Sequence, residues 1–163
     1  MKKLLLLFTS FILSFAQAQT NEPIKDVPFS IIDEAPTFYG CDSLLNNKEK
    51  KRCLNLGMTR HIRKHFDVAI ANCLKKEMVY NEKTKKEEEQ CVSILPPGKK
   101  RIYLQFKIGK TGNVEDIVAR APHPKLKAEA IRVAKLIPPM IPGKQKGKAV
   151  RVGYTLPITF NVE

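Results

Sequence analysis

Val150, Val152, Tyr154, Leu156, Ile158, Phe160 and Val162 keep apolar side chains at strict period two to within one residue of the C-terminus. Such alternation is the pattern of a strand with one buried face. At roughly 3.3 Å per residue the run reaches about 40 Å, about twice the usual strand, so an ordinary neighbour is expected to pair only part of it. Pro157 lies inside the run without an N–H, which places the strand at an edge or a bulge rather than at a sheet centre. The reading is a long C-terminal edge strand, and an edge is a template for adding another chain's strand. A final strand covered by a loop stands as an even alternative on the residues alone.

The N-terminus reads as an export signal. Lys2 and Lys3 precede an apolar run from Leu4 to Ala16, and Ala16-Gln17-Ala18 is a small-x-small cleavage site. The run is short for a bilayer-spanning helix, which needs about 20 apolar residues, although an uncleaved signal-anchor is the alternative. Gln19, not a cysteine, directly follows the cleavage site, which argues against a lipid anchor. The expected organisation is a signal peptide (1–18), an extended arm (19–40) and one domain (41–163), a length that suits a single core. Cys41, Cys53, Cys73 and Cys91 all fall in the exported part, and an even number there argues for disulfides. Cys41–Cys53 with Cys73–Cys91 is the favoured pairing of the three possible, since each bridge closes a charged segment poor in apolar residues. Zinc is the competing use of the cysteines, but there is no CxxC pair. The formal net charge of +13 suits an anionic partner. Its lysines are interleaved with acids, and no aromatic stacking cluster accompanies them, so nucleic acid is a poor candidate.

Pro23, Pro28 and Pro36 forbid a helix in the arm, where Val27, Phe29 and Ile31 alternate as in a short strand or extended strip. Between Asp42 and about Leu74, the spacing of Leu54, Met58, Ile62, Phe66, Ala69 and Cys73 predicts the first helix. His61 and His65 are four apart on it, but without a third ligand they read as a basic outer face. Residues 75–100 are a charged excursion, either a small hairpin or a disordered tip. Arg101–Gly109 and Val114–Ala121 form a hairpin around Lys110-Thr111-Gly112-Asn113, and the phase of Val114 implies a bulge near Glu115 and Asp116. His123 caps or packs the turn before a second helix, from Pro124 or Lys125 to Ile137, which Pro138-Pro139 ends. A basic loop containing Lys144, Gln145 and Lys148 leads into the last strand. The fold class is therefore α+β: a split βαβ unit with a three-stranded antiparallel sheet in the order 2-1-3, two helices on one face and the N-terminal arm.

VPFSIIDEAPTFYGC (Val27–Cys41), RIYLQFKIGKTG (Arg101–Gly112), VARAPH (Val118–His123) and above all LIPPMIPGKQKGKAVRVGYTLPITF (Leu136–Phe160) resemble the TonB C-terminal domain family. The likeness is to its cysteine-containing version with a signal peptide, here without the usual anchor and Pro-rich spacer. Tyr39 stands where that pattern has a proline, and Met140 where an aromatic is common. The resemblance implies a periplasmic energy-transducer domain that binds TonB-dependent outer-membrane receptors by accepting their TonB-box peptide as an added strand. It implies an ExbB–ExbD motor as partner if the chain is anchored, and it implies neither cofactor nor catalysis.

Within the final strand, N–H groups of like parity face one edge, so Pro157 interrupts the edge shared by Arg151, Gly153, Thr155 and Thr159. If that edge is free, a peptide pairs along Arg151, Val152, Gly153, Tyr154 and Thr155, Gly153 allows close backbone approach, and Lys144, Gln145, Lys148 and Arg151 meet acidic residues on it. Glu34 and Pro36 are candidates for a second contact, while Phe38 suits the core better. The competing function is a soluble periplasmic binding or scaffolding module that forms a homodimer or binds other envelope proteins without transducing energy. An enzyme is the weakest class, since no acid or nucleophile accompanies His61, His65 or His123, and no catalytic or metal-binding residue is assigned.

Overall fold

The computed structural model describes residues 26–41, 43 and 46–162, so the expected signal peptide and the start of the arm lie outside the described residues. In chain order the elements are β1 (Val27–Pro28), α1 (Asn47–His65), a 3₁₀ turn (Val68–Asn72), β2 (Lys75–Asn81), β3 (Lys86–Val92), β4 (Gly98–Ile108), β5 (Val114–Arg120), α2 (Pro124–Lys135), β6 (Lys144–Gln145), β7 (Lys148–Ala149) and β8 (Val152–Val162).

The two longest strands determine the layout. β4 and β8 are each 11 residues long and pair antiparallel without a break, from Gly98↔Val162 to Ile108↔Val152. β4 thus pairs more of the final run than expected, leaving only Val150 and Arg151 outside its ladder. β4 begins at Gly98 rather than at Arg101, because pairing needs only backbone, and the polar stretch Gly98–Lys100 carries no apolar phase to mark it. Even-numbered residues on both strands turn inward. Ile102, Leu104, Phe106, Ile108, Tyr154, Leu156, Ile158, Phe160 and Val162 form one core with Leu54 and Met58 of α1 and with Leu126, Ala130, Val133 and Ala134 of α2.

The sheet has four strands in the order β1-β8-β4-β5, not three. β5, β4 and β8 are neighbours as the pattern implies, and the arm adds β1 to the far side of β8, parallel to it, with Val27↔Val152 and Pro28↔Gly153. A two-residue strand has no periodicity to read. After it the chain turns, so that Ile31 is exposed and Ile32 is buried instead, which ends the alternation expected of Val27, Phe29 and Ile31. Opposite, the β4–β5 register shifts from Gln105↔Val118 to Lys107↔Glu115, and Asp116 takes φ 51°. That is the bulge expected near Glu115 and Asp116.

Asn46 caps α1 by accepting from the Glu49 N–H at 2.8 Å. The helix stops at His65, short of the expected stripe: Phe66 is buried just after it, and Ala69 lies in the 3₁₀ turn. His123 caps α2 by accepting from the Lys125 N–H through Nδ1 at 3.2 Å. Residues 75–92 are a hairpin, β2 on β3. Both favoured disulfides are present, Cys41–Cys53 and Cys73–Cys91. Gly112 sits at φ +83°, and a Cβ there would run into the Met140 carbonyl. The Met140 N–H in turn donates to the Gly112 carbonyl at 3.0 Å, which fixes the loop leading to β8.

Candidate peptide-binding edge

The N–H and C=O of one strand residue face the same edge, and successive residues face opposite edges. The Val27 N–H donates to the Arg151 carbonyl at 2.9 Å and the Phe29 N–H to the Gly153 carbonyl at 3.1 Å. Odd-numbered residues of β8 therefore present their backbone outward, away from β4. The missing N–H of Pro157 falls on this outer edge, which is why a proline is tolerated in the middle of the ladder. Among the described residues, no strand pairs with the outer edge beyond Gly153, where Thr155, Pro157, Thr159 and Asn161 lie exposed.

The flank expected to be open from Arg151 to Thr155 is thus partly closed. The arm occupies Arg151 to Gly153, and only Thr155 onward is uncovered. Val152 and Tyr154 turn their side chains into the core and their backbone N–H and C=O toward β4, so neither offers a partner on the outer edge a hydrogen bond. The Tyr154 hydroxyl donates to Asn55 Oδ1 at 2.6 Å, and burial pushes its pKa up to about 12. Gly153 is not held by a close approach, since a Cβ there would meet nothing within 4 Å.

Of the cations expected to meet an acidic peptide, Arg151 and Lys144 lie against carboxylates of the chain's own arm, Asp26 and Glu34, and among the described residues Lys148 does not. Asp26 lies 2.6 Å from Lys107 Nζ and 3.6 Å from Arg151 Nε. The Arg151 guanidinium also donates to Asp116 at 2.6 Å, and Lys107 lies 2.9 Å from the same carboxylate. Hydrogen bonding to Lys107, and then the charge of Arg151, hold Asp116 below the usual carboxylate range. The Asp116 and Asp26 hydrogen bonds raise Lys107. The attraction is therefore complete at neutral pH. It is lost as pH falls through the lowered pKa of Asp116, or rises through the raised pKa of Lys107.

Lys144 and Glu34 exchange backbone hydrogen bonds at 3.0 and 2.9 Å, and Gln145 Oε1 accepts from the Asp33 N–H at 3.1 Å. Glu34 also lies 3.5 Å from Lys50 and 3.9 Å from Lys144. Lys148 is exposed on β7 and has no ion pair among the described residues. Pro36 is fully buried, which removes it as a second contact. Phe38 packs half-buried against the core, over Gly57.

The structure adds Asp26, Phe29, Lys107 and Asp116 to this site, none of which the sequence pattern nominates. Phe29 sets its ring edge-on to Tyr154, with centroids 5.0 Å apart and planes at 79°. Lys107 stands opposite Gly153 in the ladder, so its place follows from the register, but register between distant segments is invisible in one strand's pattern. The His61 and His65 rings lie with centroids 4.6 Å apart, and His61 Nε2 is 3.0 Å from the Val133 carbonyl. Among the described residues there is no group of three or more metal-binding side chains, and no helix is long and apolar enough to cross a membrane.

Residues 101–162, which run from β4 through β8, match the family described as Gram-negative bacterial TonB protein C-terminal. No match was found among curated proteins or among solved structures. The matched stretch contains both long strands, the bulged hairpin, α2 and the loop to β8, while the arm and α1 lie outside it. Over positions 101–162 the chain is similar to the TonB C-terminal domain family.

Proposed function

We propose that this protein is a periplasmic domain that binds TonB-dependent outer-membrane receptors by taking their TonB-box peptide as an added strand on the outer edge of β8, in support of energy-coupled transport. One observation carries the reading. A segment of the chain already adds in parallel to that edge at Val152 and Gly153, and the edge from Thr155 to Asn161 has no strand beside it among the described residues. Main-chain hydrogen bonds along such an edge grip many sequences, while neighbouring side chains supply preference. Arg151 and Gly153 are the start of the track, Thr155 its first uncovered rung. Lys144 and Gln145 bond to the arm that flanks it, at Glu34 and Asp33, and Lys148 pairs with Gln145.

A proline at Thr155 tests the docking mode. The Thr155 N–H faces the outer edge, so Thr155→Pro removes a rung for the peptide and none of the bonds to β4. Titration with a peptide from a receptor's N-terminal segment should show binding to the wild-type chain and at least about tenfold weaker binding to the variant. Far-UV circular dichroism should report the same fold. Equal affinity in the two proteins removes this edge from the mechanism.

A further inference from the structure

Resting on that reading, we infer that the β8 edge at Arg151–Gly153 selects an extended segment bearing an acidic residue three positions before an aromatic one. Asp26–Phe29 is the resident occupant that such a partner segment displaces. The occupant shows what each part of the edge accepts. The acid reaches Lys107 at 2.6 Å and Arg151 at 3.6 Å on the solvent side of the sheet. Two N–H groups, those of Val27 and Phe29, reach the Arg151 and Gly153 carbonyls. Between them Pro28 directs its missing donor away from β8, so a proline costs the ladder nothing there. Three positions after the acid, the Phe29 ring meets the edge of Tyr154 at 5.0 Å and lies over the small cluster of Ile32, Ala35, Val150 and Val152. Charge on one side and an aromatic on the other fix both the direction and the register of the strand, which backbone bonding alone does not.

The resident is also built to lose. It pairs through only two residues, then turns away as the Ile31 N–H donates to the Pro28 carbonyl at 3.2 Å. Being tethered, it competes at an effective concentration on the order of millimolar. A partner of the same pattern can continue past Gly153 beside Thr155 and Thr159, gaining rungs that the arm does not use. The arm thus sets a threshold: weak or wrongly charged segments are refused, and a longer matching segment gets in.

The experiment uses the full chain and a labelled peptide of sequence DVPFSI, copied from residues 26–31. With Asp26→Ala and Phe29→Ala in the chain, the peptide should bind about tenfold or more tightly than it binds the wild type, whose arm competes. Replacing the peptide's aspartate by lysine should weaken binding about tenfold, and Lys107→Glu in the chain should recover much of that loss. No binding to the weakened-arm chain, affinity indifferent to the peptide's charge, or equal affinity for the two chains each overturns the inference. Asp26→Asn, a smaller change, gives a second readout. Faster amide exchange at Phe29 with α2 unchanged supports the inference, and unchanged exchange at Phe29 overturns it. If the arm peptide binds with this charge preference but a receptor N-terminal peptide does not compete with it, the selectivity stands and the receptor reading alone falls.

Discussion

Tyr154 joins several contacts in one side chain: its ring lies between Phe29 and Phe106, and its hydroxyl reaches Asn55 on α1. Its pKa is raised by burial to about 12, from an ordinary 10.0. Between those values the unfolded chain ionises the phenol and the folded chain does not. The folded state then holds more protons, and stability falls as pH rises through the window by about 2–3 kcal/mol. Tyr154→Phe should remove that component, so the difference between urea midpoints at about pH 9 and about pH 11 should be smaller in the variant. Two glycines give opposite expectations. Gly112→Ala forces a side chain into φ +83° and against the Met140 carbonyl. It should therefore cost at least about 1–2 kcal/mol in a denaturant melt. Gly153→Ala meets open space and should leave stability within about 1 kcal/mol of wild type. Of the residues nominated from the sequence, Arg151 and Gly153 do lie on the outer edge, because strand parity follows from the backbone alone. Their neighbour Asp26 is not legible, since nothing in DVPF says which distant edge it will meet.

The hairpin of β2 and β3 behaves as a unit of its own. None of its 14 paired residues is buried, and Met78, Val79 and Tyr80 are exposed. It is held at its base by Cys73–Cys91 and along its sides by pairs such as Lys76–Glu89 at 2.8 Å. Replacing both cysteines by serine should abolish amide protection in β2 and β3 while the midpoint for loss of the core signal shifts little, because that bridge restrains the hairpin and not the sheet behind it. A simultaneous loss of protection in β4 and β8 would show the hairpin to be part of the core's cooperative unit. In the sequence this excursion is only a charged stretch with two possible fates. Its strands carry no apolar face, and cross-strand pairing without burial leaves no periodic trace. The C-terminal strand is legible for the opposite reason. Its even positions are buried along their whole length, so the pattern survives from end to end.

Across the whole molecule, the arm is fastened at several points. It is paired to β8, bridged to the loop before it through Glu34↔Lys144 and Thr37↔Ile141, and tied to α1 by the Asn47 side chain and by Cys41–Cys53. Gly143 lets these layers meet, for a Cβ there would lie 2.8 Å from Val152 and 3.0 Å from Pro36. Cys41→Ser with Cys53→Ser should therefore loosen the arm before the core, with amide exchange at Val27 and Phe29 rising about tenfold or more while that of α2 and β4 stays near its wild-type rate. Equal loosening of all three would mean that arm and core open together. Periodicity, proline placement and cysteine spacing in the chain sufficed for the two helices, the bulged hairpin, the long final strand and both bridges. Each of these is dictated by neighbours near in sequence or by a face that is buried throughout. Folding in three dimensions decided which backbone lies beside β8. That choice rests on a two-residue ladder and on charges brought together from positions 26, 107, 116 and 151, and such contacts leave no regular mark along the chain.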